Sequence, residues 1–241
     1  MASYSKNEAR AWALENMRGV ANVVIPTFTQ DLTRLNETAI RYDIEKDIEF
    51  GFYGTLLVSE VAISVEEYAR FVAVAAETAA GRLCLIHHAA FGTLQENIEA
   101  VQAAEKNGAE LILLSYPANY HPTSEQEIYD YTKSFCDSTN LGVMIFPVPL
   151  WGFERLHPAG MSPELVDRMV DNIQNIVAIK AESGMPTIGG FVQAWRKYEG
   201  KIVVSMPLEA EALMLAALVP LKFSGTSNTE FFGPMIPRIF K

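Results

Sequence analysis

An amine attacks a carbonyl only after shedding its proton, and one lysine in this sequence stands where that loss is favoured. Lys180 closes the apolar run 176–179 inside "NIVAIKAESG" (175–184). A lysine held at the edge of a packed core is desolvated, which lowers its pKa and favours the neutral nucleophile. The alternative is a lysine that carries its ammonium out to solvent at a strand end. Other usable groups end other apolar runs. "HH" at 87–88 offers an acid or base near neutral pH, and strand neighbours point to opposite faces, so only one can share a site with Lys180. His88 is the candidate, against a histidine merely satisfied by a backbone carbonyl. Ser59 and Glu60 supply a hydroxyl and a carboxylate at the end of another run, or a solvated loop pair. Ser224 opens "SGTSN" (224–228), whose hydroxyls and backbone N–H groups suit either a polar substrate end or a turn.

Aromatic residues surround these groups in sequence. Phe91, Phe146, Trp151 and Phe153 fall at strand ends or in the loops after them, where they line an apolar pocket or close over a core. A pocket of that kind expects a bulky substrate that carries little negative charge. His121 and His157 read as surface or loop residues. A metal site from His87 or His88 with His121 and Glu60 lacks any ligand spacing such as HExxH, so neither a metal nor another cofactor is assigned.

Positioning these residues requires a regular scaffold, and the chain alternates in the right way. Strand candidates are 20–25, 53–58, 83–88, 110–115, 142–147, 176–180, 201–206 and 221–226. Helical patterns occupy 36–50, 65–80, 93–107, 124–137, 162–173, 208–219 and 230–241, with Ser124 and Glu127 fitting a capping box. Strands alternating with helices are parallel, because each return needs a crossover. Apolar runs without alternation suit strands covered on both faces. Eight such units predict a (β/α)8 TIM barrel over 19–241, preceded by an N-terminal extension, 1–18. A doubly wound open sheet is the runner-up, weakened because no GxGxxG or GxxxxGK[ST] loop follows a strand. In a barrel, chemistry sits at the carboxyl ends of the strands, which is where Lys180 lies.

The totals bound the partners. The chain has 241 residues, 49% of them hydrophobic and 20% charged, the composition of a soluble globular protein. A formal charge of −10 disfavours nucleic acid or an anionic membrane surface as partner. Cys84 and Cys136 form no CxxC pair and read as buried thiols. No apolar stretch reaches the roughly 18 residues of a membrane span, and the first residues lack a signal-peptide core, so a cytoplasmic location is expected.

"GVANVVIPTFTQD", "NIVAIKAESG" and the order of elements between them resemble the N-acetylneuraminate lyase / dihydrodipicolinate synthase family across 19–241. The resemblance implies a (β/α)8 barrel whose sixth-strand lysine, Lys180, forms a Schiff base with pyruvate or another 2-keto acid, without a cofactor. Tyr120 matches a tyrosine that reaches towards a neighbouring subunit's site, with Tyr129 as supporting match, and a homo-oligomer, dimer or tetramer, follows. Departures are equally specific. "AES" stands where the family often has "EAS". The family's catalytic phenol falls at Phe146, which has no hydroxyl to relay a proton. Trp151 falls near an arginine that binds a second carboxylate in the synthases. The carboxylate-holding "GTTGE" loop reads "LVSEVAIS", leaving Ser59 for a hydroxyl and Glu60 for the glutamate, and "GDD" becomes "MPL" (206–208). The family continues into further C-terminal helices, whereas this chain stops at "PRIFK", as a truncated version of a longer protein would.

Three functions fit these residues. One is a divergent lyase, aldolase or dehydratase that binds a small carbonyl substrate through an imine at Lys180. Another is a repurposed barrel that binds a ligand without turnover. The third is a hydratase or isomerase that uses Lys180 as a base.

Overall fold

The computed structural model describes residues 2–181, 187–227 and 229–240. Glu182, Ser183 and Gly184 of the strand-six motif, and Asn228 of "SGTSN", lie outside them. Eight parallel strands form one sheet: β1 (Gly19–Val24), β2 (Gly54–Leu57), β3 (Cys84–Ala89), β4 (Leu111–Leu114), β5 (Gly142–Ile145), β6 (Ile176–Lys180), β7 (Val203–Ser205) and β8 (Phe223–Ser224). Their order is β7-β6-β5-β4-β3-β2-β1-β8, so the first strand pairs with both the second and the last. β7 and β8 share no ladder. Instead the Ser205 hydroxyl donates to Gly225 O at 2.6 Å and the Ser224 hydroxyl donates to Met206 O at 2.7 Å. These bonds draw the seam together, and the sheet is a (β/α)8 barrel rather than an open doubly wound sheet.

The outer layer comprises α2 (Glu37–Phe50), α3 (Val65–Ala79), α4 (Leu94–Asn107), α5 (Glu125–Asp137), α6 (Pro163–Asn172), α7 (Thr187–Tyr198), α8 (Glu209–Ala216) and α9 (Met235–Ile239), with α1 (Ala9–Asn16) ahead of the barrel. Five of these helices start at a side chain that accepts a backbone N–H three residues on: Asn36, Ser64, Thr93, Ser124 and Ser162. Each such cap contributes about 1 kcal/mol. Ser64 and Glu67 form the reciprocal capping box. At Ser124 the expected box is only half made, because the Glu127 carboxylate turns to the N–H and hydroxyl of Thr123. The sequence reading bounds no helix between the sixth and seventh strands, where α7 lies. The stretch expected as one helix over 230–241 is broken by Gly233-Pro234 into a 3-10 turn (Thr229–Phe232) and α9, since proline lacks the N–H a continuing helix needs. Among the described residues, no helix is long and apolar enough to cross a membrane.

Two apolar cores follow from the strands' alternation. Outward residues such as Leu57, Leu85, Ile112, Leu114 and Ile145 pack under the helices against Ile44, Phe71, Val72 and Phe135. Inward residues, among them Ala21, Leu56, Ile86, Leu111, Leu113, Met144 and Phe223, fill the barrel. One bulge interrupts this pattern. Val143 pairs with Ile176 but Met144 pairs with Ala178, so Val177 is an extra residue in β6. Simple alternation puts Val177 outside with Ile179, but Val177 packs in the barrel interior beside Ala178. Gly142 makes the room, since a Cβ there would sit 2.9 Å from Val177 Cγ2. Lys180 stays on the inner face with Ala178.

The first residues belong to the barrel's packing. Ala9, Ala13 and Met17 are buried against the interior core, closing the end where the strands begin. Arg10 ties α1 down by donating to the carbonyls of Val170, Ile173 and Ile176. Tyr4 donates to Glu110 O and accepts from Gly142 N–H at the same end.

Candidate active site

Five consecutive strands present one inward residue each at their carboxyl ends. His88 follows Ile86 by two, Ser115 follows Leu113, Phe146 follows Met144, Lys180 follows Ala178, and Ser205 follows Val203. The two-residue period of a strand carries all five side chains into the barrel mouth. There the inner layer turns from aliphatic to polar, at the end where barrels of this architecture do chemistry.

Lys180 is 7% exposed. Its Nζ stands 4.1 Å from the centroid of the Phe146 ring, so the amine rests on an aromatic face. Trp151 braces that face edge-on, with ring centroids 5.6 Å apart and planes at 83°. The Trp151 indole N–H donates to Phe146 O at 2.8 Å, which fixes the loop after β5 over its own strand end. Tyr116 packs edge-on against Trp151 and donates a 2.6 Å bond to the Thr132 hydroxyl, whose own hydrogen goes to Ile128 O.

The adjacent histidines divide as strand geometry requires. His87 points outward against Tyr68 of α3, with Nδ1 3.0 Å from its hydroxyl. That hydroxyl gives its hydrogen to Leu57 O, so His87 Nδ1–H donates to it. His88 points inward, with Nε2 2.9 Å from Ser115 Oγ and Nδ1 3.4 Å from the backbone N of Ser59. Burial pushes both imidazoles down to about 3, His87 further by the charge of His88 and His88 further by the charge of Lys180. Both rings are therefore neutral near pH 7. Ser59 is buried, donates its hydroxyl to His88 O at 2.5 Å and accepts from Ala90 N–H.

The structure thus groups Lys180, Phe146, Trp151, His88 and Ser59. Glu60 is exposed to solvent just beyond Ser59. Tyr120 stands in an aromatic cluster with Tyr116, Tyr131 and Phe153, joined to Trp151 through Tyr116, and burial pushes its phenol up to about 12. Ser224 is buried and gives its hydroxyl to the barrel seam. Phe91 packs on Tyr68 and Phe153 packs on Tyr116, both in the outer core rather than among the residues grouped with Lys180. His121 is exposed, and His157 Nδ1 accepts from Ala159 N–H. Sequence reasoning passed over Ser115 and Ser205. Both end apolar runs two residues after an inward leucine or valine, a signal that was present.

A closed parallel barrel with an amine buried at the end of its sixth strand defines a class of (β/α)8 proteins, and the comparisons narrow it. The model of the Dihydrodipicolinate synthetase family matches residues 16–204, and the chain belongs to that family. It is 27% identical over 172 residues to a 4-hydroxy-tetrahydrodipicolinate synthase of Brucella abortus biovar 1, covering 70% of this chain and 56% of that one. The chain thus spans a little over half the length of the curated relatives it matches. Among solved structures, the 4-hydroxy-tetrahydrodipicolinate synthase of Methylacidiphilum fumariolicum SolV superposes with a TM-score of 0.79 at 20% identity, over 93% of this chain and 72% of that one. The N-acetylneuraminate lyase of Fusobacterium nucleatum gives 0.78 at 19% identity, over 93% and 75%. At these identities the superpositions establish the barrel.

Proposed function

We propose that this protein is a divergent Schiff-base-forming lyase, aldolase or dehydratase acting on a 2-keto acid or related carbonyl compound. The observation that carries the reading is the place of Lys180: an amine on the inner face of the barrel mouth, 7% exposed and resting on Phe146. Condensation of that amine with a carbonyl gives an imine, which accepts the electron pair released when an adjacent C–C or C–O bond breaks. Phe146 and Trp151 offer an apolar wall where the family resemblance expects a phenol and a carboxylate-binding arginine. The substrate's far end is accordingly bulkier or less charged than a dicarboxylate's. Ser59 and His88 complete the proposed mouth, with Glu60 and Tyr120 beyond it and Ser224 committed to the seam, and assembly into a dimer or tetramer, with Tyr120 near the contact, belongs to the same proposal.

The test is borohydride reduction in the presence of a panel of 2-keto acids, read by intact mass. One adduct is expected, absent from Lys180→Ala, and no adduct across the panel overturns the reading. A Lys180→Arg variant that keeps substantial activity points instead to a non-imine hydratase or isomerase, because arginine cannot form the imine. The missing hydroxyl at Phe146 favours a second reading, a barrel that binds without turnover. Under it, Lys180→Ala leaves ligand affinity unchanged.

A further inference from the structure

Phe146 has no proton to pass, and the barrel mouth holds a hydroxyl elsewhere that can take that part. We propose that Ser115, oriented by His88, is the catalytic hydroxyl that shuttles the proton as the substrate carbonyl condenses with Lys180, a role that rests on the covalent reading above. Ser115 is 1% exposed and faces the barrel interior two residues beyond Leu113. His88, on the neighbouring strand, reaches its Oγ at 2.9 Å. The direction of that bond is set from behind. The backbone N–H of Ser59 is aimed at His88 Nδ1 at 3.4 Å, which puts the ring's lone pair on Nδ1 and its hydrogen on Nε2. Ser115 Oγ therefore accepts from His88, and among the described residues nothing accepts its own hydrogen. That hydrogen is available to the oxygen of a bound carbonyl. The pair stands on strands two and three places from that of Lys180 and faces the same barrel mouth, and burial is the main cause that keeps the His88 ring neutral. A neutral ring holds the serine without removing its proton.

The step balances within these groups. The Lys180 nitrogen lone pair forms the N–C bond, and the C=O π pair moves onto oxygen. The nitrogen, now positively charged, gives a proton to the free lone pair of Ser115 Oγ as Ser115 gives its hydrogen to the alkoxide. The product is a neutral carbinolamine, and Ser115 returns to its starting state. His88 touches no reacting atom and is a positioning residue.

The experiment follows the rate of borohydride-trappable adduct at Lys180 in wild type and variants, with the 2-keto acid that labels wild type best. Proton transfer of this kind is worth about 10²–10⁴-fold, so Ser115→Ala is expected to slow adduct formation about 10²-fold. Ser115→Thr restores most of the rate. His88→Leu slows it about tenfold, and His88→Gln, which keeps an N–H donor, recovers part of that loss. In wild type, ¹⁵N NMR of the imidazole is expected to show the neutral Nε2–H form. An Nδ1–H form overturns the proposal without any variant having to fold. Equal adduct rates in wild type and Ser115→Ala overturn it alone, whereas a wild type that forms no adduct overturns the covalent reading as well.

Discussion

Where its strands begin, the barrel is filled by Ala21, Cys84, Leu111 and Phe223 and sealed by Ala9 and Ala13 of α1 and by Met17 at its end. Where they end, it presents His88, Ser115, Phe146, Lys180 and Ser205, all 7% exposed or less. The two ends share the same strands and the same two-residue period, yet one is packed mainly with apolar side chains and the other carries donors, acceptors and an amine. Burying polar groups costs free energy unless they are hydrogen-bonded, and His88, Ser115 and Ser205 each find such a partner. The closed end therefore rests on apolar packing, whereas the other end rests on hydrogen bonds between buried polar groups.

That contrast is breakable. The largest effect is expected from Lys180→Ala, which should lower the proposed activity by more than about 10³-fold while leaving the melting temperature unchanged or raised. A steep loss of melting temperature instead would make Lys180 a structural residue and blur the distinction. At the other end, Met17→Ala removes a fully buried side chain from the seal. Denaturant unfolding should show a loss of about 2–5 kcal/mol, with adduct formation per folded molecule unchanged. Activity lost from a still-stable Met17→Ala protein would mean that the closed end shapes the site directly.

A second polar cluster, outside the barrel interior, sharpens the comparison. Asp47 of α2 is 2% exposed, accepts from Asn22 Nδ2 at 2.7 Å, and is pushed up from 3.8 to about 7, chiefly by burial. A carboxyl with a raised folded-state pKa binds its proton more tightly when folded. Its stabilisation is complete below about pH 4 and lost as pH rises through 7. Asp47→Asn should therefore gain on the order of 2–4 kcal/mol at pH 8 and little at pH 4, measured by unfolding at both pH values, with no change in adduct formation. His87 and His88 work in the opposite sense. Their depressed pKa values, about 3, contribute stability above about 6.5 that is lost as pH falls towards 3. The smallest effect is expected from Trp151→Phe, which deletes the indole N–H bond to Phe146 O. About 0.5–1.5 kcal/mol of stability should go with it, together with a KM change larger than the kcat change.

Much of this was legible from residues alone, for identifiable reasons. Continuous apolar runs such as 111–114 and 176–179 announce buried parallel strands, and Lys180 breaks the last of them in plain view. The inward turn of Val177 was not legible, because it depends on the absent side chain of Gly142 on a neighbouring strand. The choice between His87 and His88 hinges on register, which a dipeptide cannot reveal. Ser115 carried a positional signal, the end of an apolar run two residues after Leu113, but its 2.9 Å approach to His88 depends on a neighbouring strand and was not legible. Phe153 looked like a pocket aromatic but packs on Tyr116, since a loop's path is set by contacts distant in sequence. Tyr120 was singled out by resemblance, and its neighbours turn out to be aromatic rings of the β4–α5 region.

The most direct test of the Lys180 assignment is a crystal structure of the protein after borohydride treatment with the 2-keto acid that labels it. The account predicts continuous electron density from Lys180 Nζ to the former keto carbon, inside the barrel mouth and against Phe146. Density for the acid elsewhere, with the Lys180 amine unmodified, would contradict it.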